Sequence, residues 1–356
     1  MRASHRSGPA PDRQAARALG GAPNSKQEAM ETTVVYDTYW RFAAERQALY
    51  MRRLNDPVGP WTDDPILSAH RFTNAYRASD RVSQFLIRDV QYREDRAQTP
   101  RELFFRTLLF KIFNRIETWR ALESRLGPLS YEKTDLDAVA KIMTDLMARG
   151  SRLYSAAYIM PSPAMGRTRK HENHLLLLKQ MMDDRLPERI HQAPDLRSVF
   201  EALLRYRGIG PFLAFQYAID LNYSAMLGHD EADFVVAGPG ALDGISKCFA
   251  DVGSRSAEEV IHLMCERQES AFADAGLEFA SLFGRRLQPI DCQNLFCEIS
   301  KYARVAHPDF PGLSGRTRIK QVYRKTNAPL PQPMFPPRWG LNVPTSPVSE
   351  RQRGLF

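Results

Sequence analysis

Apolar positions recur every three and four residues along most of the chain, and runs that alternate residue by residue are few, so the pattern predicts helices almost everywhere. Ten segments carry it: Tyr36 to Asn55, Asp64 to Asp89, Pro100 to Arg125, Asp135 to Arg149, Glu172 to Arg185, Asp195 to Leu204, Ile209 to Tyr223, Ala241 to Phe249, Ser256 to Ala275 and Ile290 to Arg304. Their starts are marked by Asp64 before Pro65, Thr99 before Pro100 and Ser256 before an acidic first turn, side chains that can accept from the unpaired amides of a helix start. Gly127 followed by Pro128, and Gly150, mark ends. The pattern fails at both termini. Residues 1–29 show no hydrophobic period and read as a disordered extension, with Met30 as an alternative start. From Pro329 onward prolines exclude helix and central strand, so residues 311–356 read as a basic, extended and mobile tail on which Phe335 and Trp339 could dock. No tandem repeat or flexible linker divides residues 30–310, which predicts one all-α unit with room for two lobes around a cleft.

Composition narrows the class. No apolar run approaches the roughly 20 residues that cross a bilayer, and no signal peptide opens the chain, so an intracellular protein with no membrane partner is expected. Cys248, Cys265, Cys292 and Cys297 form no Cys-x-x-Cys pair and no disulfide scaffold, and their spacing does not fit an iron-sulfur loop. Neither metal nor cofactor is expected. The net charge of +8 suggests nucleic acid until it is divided along the chain. The two termini hold the excess, and residues 30–310 carry 36 basic and 38 acidic residues. Phosphate contacts must then come from local patches or from tail residues such as Arg316, Arg318 and Lys320.

The sharpest local signal is the run from Leu203 to Tyr217, where Gly208-Ile209-Gly210 separates two helical patterns and Pro211 opens the second. This is a helix-hairpin-helix pattern, whose glycine turn and helix start can take a phosphate oxygen without reading sequence. About twenty-five residues on lies His229-Asp230-Glu231-Ala232-Asp233, before another helix. The order resembles the helix-hairpin-helix DNA glycosylases, in which a catalytic aspartate sits at this distance. That resemblance implies a catalytic role for Asp233, with Asp230 as the alternative. Where bifunctional glycosylases hold a Schiff-base lysine this chain has Phe212, so lyase chemistry by that route is not expected.

Three further segments are unusually polar for core helices. Arg71, Asn74, Arg77 and Arg81 fall at helical spacing on one face; Asn114 and Glu117 stand among apolar neighbours; Glu298, Lys301 and Tyr302 stack on another face. Together they predict a shared polar cavity that binds substrate, with Glu298 as a further catalytic candidate.

The strings PWTDDPILSAHRFTNAYRASDRVSQFL, FNRIETW, GIGPFLAFQYAIDLNYS, DFVVAGPGALDGISKCF and QNLFCEISKYARV resemble the alpha-glutamyl/putrescinyl thymine pyrophosphorylases, also known as the helical domain of 5-hydroxymethyl-deoxyuridine DNA kinases. The resemblance spans Tyr36 to Arg304 and implies a divergent helix-hairpin-helix glycosylase fold acting on hypermodified bases of phage-type DNA. It implies one of two activities: excision of a modified base, as in anti-phage defence, or transfer of an amino acid or polyamine to pyrophosphorylated 5-hydroxymethyluracil. No GxxxxGK[ST] phosphate loop occurs, so the kinase half of such proteins is not expected in this chain. The leading expectation is a monofunctional glycosylase that binds modified duplex DNA and flips the base; a non-catalytic helical DNA-binding module is the alternative from another class.

Overall fold

The computed structural model describes residues 30–157, 160–326 and 328–344; the extension expected at 1–29 and the last tail residues, 345–356, lie outside them. Side-chain caps set several of the helix starts. Thr33 accepts from the Val35 amide and opens α1 (Val34–Asn55). Asp64 accepts from Ile66 and Leu67 at α2 (Pro65–Ala69), and no further helix forms until a 3-10 turn at Arg77–Ser79 and α3 (Arg81–Phe85), which continues as a π-helical segment, Leu86–Gln91. Thr99 caps α4 (Pro100–Phe113), and α5 (Ile116–Leu126), α6 (Leu136–Ala148), α7 (Lys170–Asp183) and α8 (Leu186–His191) follow. The hairpin helices are α9 (Leu196–Leu204) and α10 (Pro211–Asn222). Then come α11 (Pro239–Cys248), α12 (Ala257–Asp274), opened by a reciprocal Ser256–Glu259 capping box, and α13 (Pro289–Ala306). Apart from a short antiparallel pair, β1 (Glu31–Thr32) with β2 (Phe249–Asp251), the fold is all-α.

The helices pack in two sets. In one, α13 lies against α1, α11 and α12; its crossing with α11 is so close that a Cβ on Gly244 would stand 2.0 Å from the Phe296 carbonyl oxygen. In the other, α4 is buried around nearly its whole circumference against α7, α8 and α10, and α10 pairs with α9. The segment 70–91 passes between the sets, touching α13 at Arg77–Ser79 and α4 at Leu86–Gln91. Among the described residues no helix is long and apolar enough to cross a membrane.

Two predicted helices are divided. The pattern over Asp64 to Asp89 favours one helix, but side chains elsewhere take the backbone groups such a helix would use. Glu298 accepts the Thr73 N–H, Asp80 the Asn74 N–H and Asp291 the Arg77 N–H, while Arg46 donates to the Thr73 carbonyl. Residues 70–76 are therefore not helical, and Arg71, Asn74, Arg77 and Arg81 do not share a helix face. Pro100 to Arg125 breaks at Asn114, whose left-handed φ of 50° turns the chain between α4 and α5.

The described part of the tail is extended, but where mobility was expected it is held on the body. The Ser314 amide donates to Asp243, the Tyr323 amide to the Ala69 carbonyl and the Met334 amide to Gln84. Arg338 donates to the carbonyls of Ser224 and Leu227 behind α10, and Trp339 packs on both Phe335 and Tyr223.

Candidate functional site

The hairpin turn is built by two glycines with different tasks. Gly208 has φ +83°, a left-handed conformation, and a Cβ there would stand 3.0 Å from Pro163 Cβ. Gly210 is the N-cap of α10 and brings no side chain to its first turn, where Pro211 follows. Arg205 and Arg207 stand exposed beside this helix start. The positive end of a helix dipole, a turn that ends in exposed Gly210 and two cations make a surface suited to a phosphate group.

Phe212, on the first turn of α10, points the hairpin at a second element. A Cβ on Gly238, the N-cap of α11, would lie 2.8 Å from the Phe212 ring and 3.3 Å from Gln293 Nε2, and one on Gly240 would lie 2.9 Å from Cys297 Sγ. The hairpin, the start of α11 and the middle of α13 thus converge, because only residues without a side chain allow the approach. Further along α13, Asn294 Nδ2 donates to Thr73 Oγ1 at 3.0 Å and to the Asn74 carbonyl at 3.1 Å. Glu298 Oε2 accepts from the Thr73 amide at 3.0 Å and from Lys301 Nζ at 2.7 Å. Thr73, Phe212, Asn294 and Cys297 are half-buried.

Behind this row lies a cluster of charged groups closed to solvent. Arg77 pairs with Asp220 at 2.9 Å and donates to Gln216 Oε1 at 3.0 Å; Lys111 reaches the other Asp220 oxygen at 3.3 Å and Asn114 Oδ1 at 2.8 Å. Removing such charges from water costs several kcal/mol each, about what close pairing and hydrogen bonding can return, so the cluster specifies a geometry more than it adds stability. Burial pushes the Asp291 carboxyl, which receives the Arg77 amide, up to about 6. Burial also pushes the Cys297 thiol up to about 12, which keeps it a thiol at neutral pH and unsuited to nucleophilic attack.

The sequence-derived candidates fall into separate places. Asn74, Arg77, Glu298 and Lys301 meet around residues 73–77, although through an irregular segment and not a shared helix face. Asn74 is buried, donating to the Ser79 carbonyl and accepting from Arg46. Tyr302, expected in the same stack, turns to donate to Asp64 at 2.7 Å and packs against Phe42 and Phe72. Asn114 is buried against Lys111, whereas Glu117, expected among apolar residues, is exposed at the start of α5 and faces Arg81 and Arg115. Arg71, Arg316, Arg318 and Lys320 are exposed. Asp230 and Asp233 are exposed too, and they line a cavity of about 210 Å3 with Asp195, Arg197 and His229 at the start of α9, the end away from the hairpin turn.

Arg46, Asp220, Gln216, Asp291 and Asn294 were not legible as site residues. A signal was present for two groups: Lys111 in Leu-Leu-Phe-Lys-Ile-Phe and Asp220 in Tyr-Ala-Ile-Asp-Leu are single charges within apolar runs, which only a buried partner can satisfy.

The family described as 5-hmdU DNA kinase, helical domain, matches residues 33–312. A 5-hmdU DNA kinase of Bacillus phage SP10 is 28% identical over 287 residues, which cover 75% of this chain and 45% of that protein. The chain therefore spans less than half the length of this curated relative. No solved structure matches.

Proposed function

Since the chain belongs to the family of 5-hmdU DNA kinase helical domains, we propose that it binds DNA carrying a modified pyrimidine, draws that base into the cleft along α13 and breaks its N-glycosidic bond. The observation that carries the reading is that Phe212 of the hairpin and Gln293 of α13 both close on Gly238, while the same α13 presents Asn294 and Glu298 to Thr73 and Asn74. A phosphate-gripping turn placed against amide groups and a carboxylate is what an enzyme needs if it acts on an extruded base.

In this reading the hairpin amides and Arg205 hold the backbone, and the amides of Gln293 and Asn294 meet polar edges of the base. Arg77, Lys111, Asn114 and Gln216 form the cleft's rigid back. Arg71 and Lys301 stand toward the group added to the base. As the glycosidic bond breaks, its electron pair leaves with the base and positive charge grows on the sugar; water then adds to the sugar and loses a proton. Glu298 is the carboxylate best placed for that charge and that proton. Asp233 and Asp230, chosen by spacing, are the competing assignment and would require the base to enter the cavity beside Asp195. With Phe212 in the hairpin, the reaction ends at base release without strand cleavage through a Schiff base. The operation needs no cofactor.

A second reading is favoured by one feature, the Lys301–Glu298 pair beside exposed Arg71. Such a group could instead hold a pyrophosphate leaving group and accept the proton of an attacking amino acid or polyamine. Incubation with duplexes carrying 5-hydroxymethyluracil, its pyrophosphorylated form or a glycosylated pyrimidine, followed by mass spectrometry of free bases and nucleosides, separates the two. Free modified base supports the glycosylase; a heavier nucleoside that appears only with added amine supports the transferase; neither product from any of the DNAs, with binding retained, leaves a non-catalytic binding module.

A further inference from the structure

Residues 316–325 contain Arg316, Arg318, Lys320, Arg324 and Lys325 and no acidic residue. By itself such a run is a solvated basic tail. The structure gives it a fixed course. The Ser314 amide is bound by Asp243 Oδ1 at 2.6 Å, Arg304 donates to the Arg318 carbonyl at 3.2 Å, and Ile319 is buried. The chain then lies antiparallel to residues 69–71: the Arg71 amide donates to the Gln321 carbonyl at 3.0 Å and the Tyr323 amide to the Ala69 carbonyl at 3.0 Å. With Ile319 turned inward, Arg316, Arg318 and Lys320 face solvent, and the pairing sets exposed Arg71 beside them. Among the described residues these four cations enter no ion pair. Like charges held at fixed spacing without local counter-charges repel one another, and a regular polyanion relieves that repulsion.

The position of this strap relative to the cleft gives it a role. The segment that pairs with it continues directly into Thr73, on Glu298, and Lys301 lies 4.5 Å from the centre of the Phe72 ring. The hairpin reaches the same helix at Gln293, eight residues earlier, or about 12 Å along the axis. Hairpin and strap therefore stand toward opposite ends of α13, on either side of Glu298. That distance is about three to four steps of a DNA strand at roughly 3.4 Å each.

We propose that the strap is a second phosphate-binding arm: the hairpin takes the backbone on one side of the modified nucleotide, and Arg71, Arg316, Arg318 and Lys320 take it on the other, so that the base enters between them. The inference rests on the reading of the cleft as a DNA site and adds the polarity of the footprint. It is tested with the full chain and the combined variant Arg316→Gln, Arg318→Gln, Lys320→Gln, on a two-turn duplex bearing a central 5-hydroxymethyluracil and on duplexes shortened from one side or the other. The wild type should weaken on shortening from either side. The variant, melting at the wild-type temperature because the three side chains are exposed, should lose about 2.7 from the slope of log K against log salt. It should also become indifferent to shortening on one side only. An unchanged slope, or sensitivity retained on both sides, overturns the strap while leaving the cleft intact. If the wild type binds none of the duplexes, the DNA reading falls, and the strap with it.

Discussion

Two groups of carboxylates in this protein have the same chemistry and opposite surroundings. Asp230 and Asp233 lie on an exposed loop, where Asp230 does no more than accept the Ala232 amide. Asp220, Asp291 and Glu298 lie on α10 and α13, tied to Arg77, Lys111, Thr73 and Lys301 by contacts between 2.7 and 3.3 Å. Spacing from the hairpin singles out the first group, and packing singles out the second. The difference teaches that a carboxylate's capacity to hold a backbone, position a cation or move a proton comes from what encloses it, since Coulomb interactions that water screens at a surface persist inside.

Substitutions can break or sharpen that contrast. The largest effect is expected at Asp220, because removing it leaves Arg77 and Lys111 buried without their shared partner. Asp220→Ala should lose about 3–5 kcal/mol in urea unfolding, with Asp220→Asn losing less. Stability within 1 kcal/mol of wild type, roughly the value of an exposed pair, would place the cluster with ordinary surface ion pairs. Next comes Glu298→Gln, which keeps the size and an acceptor for the Thr73 amide. Single-turnover base release should fall by about a hundredfold or more with the melting temperature nearly unchanged, the range of a lost acid-base group. Wild-type rates in that variant would remove Glu298 from the mechanism.

A smaller effect is expected in the pH dependence of stability. Burial is the main cause that raises the Glu231 carboxyl from 4.5 to about 7, against the opposing pull of Arg285. Below the lower value the folded and unfolded chains both hold the proton, and the stabilising contribution is complete. Between the two values only the folded chain keeps it, so stability falls as pH rises toward 7 and levels off above. Glu231→Gln should flatten that stretch of a melting-temperature profile; a profile as steep as wild type would mean that Glu231 does not titrate there. The smallest effect is expected at the exposed loop. Asp233→Asn should change stability by less than about 0.5 kcal/mol and base release far less than Glu298→Gln does. Should it instead abolish release while Glu298→Gln stays active, the contrast reverses and the cavity beside Asp195 becomes the site.

The helices were legible where their determinants are local. Asp64, Thr99 and Ser256 cap the starts assigned to them, and the Gly208-Ile209-Gly210 turn joins two helices as its glycines require. The segment from Arg71 to Asp80 was not, because its helical spacing was real but its backbone donors are claimed by residues more than two hundred positions away, Asp291 and Glu298, as well as by Asp80 nearby. The pairing of Glu298 with Lys301 could be read from one helix turn. Its meeting with Thr73 and Asn74 could not.

The sequence by itself determined the all-α class, the hairpin and the family, since caps, glycine turns, apolar period and ordered motifs act within a few residues of one another. Tertiary structure alone decided which polar residues are enclosed together, where the basic strap runs and which carboxylates stay exposed. Those outcomes depend on long-range satisfaction of buried donors and charges, whose cost when unmet is larger than a local helix preference of less than about 1 kcal/mol per residue.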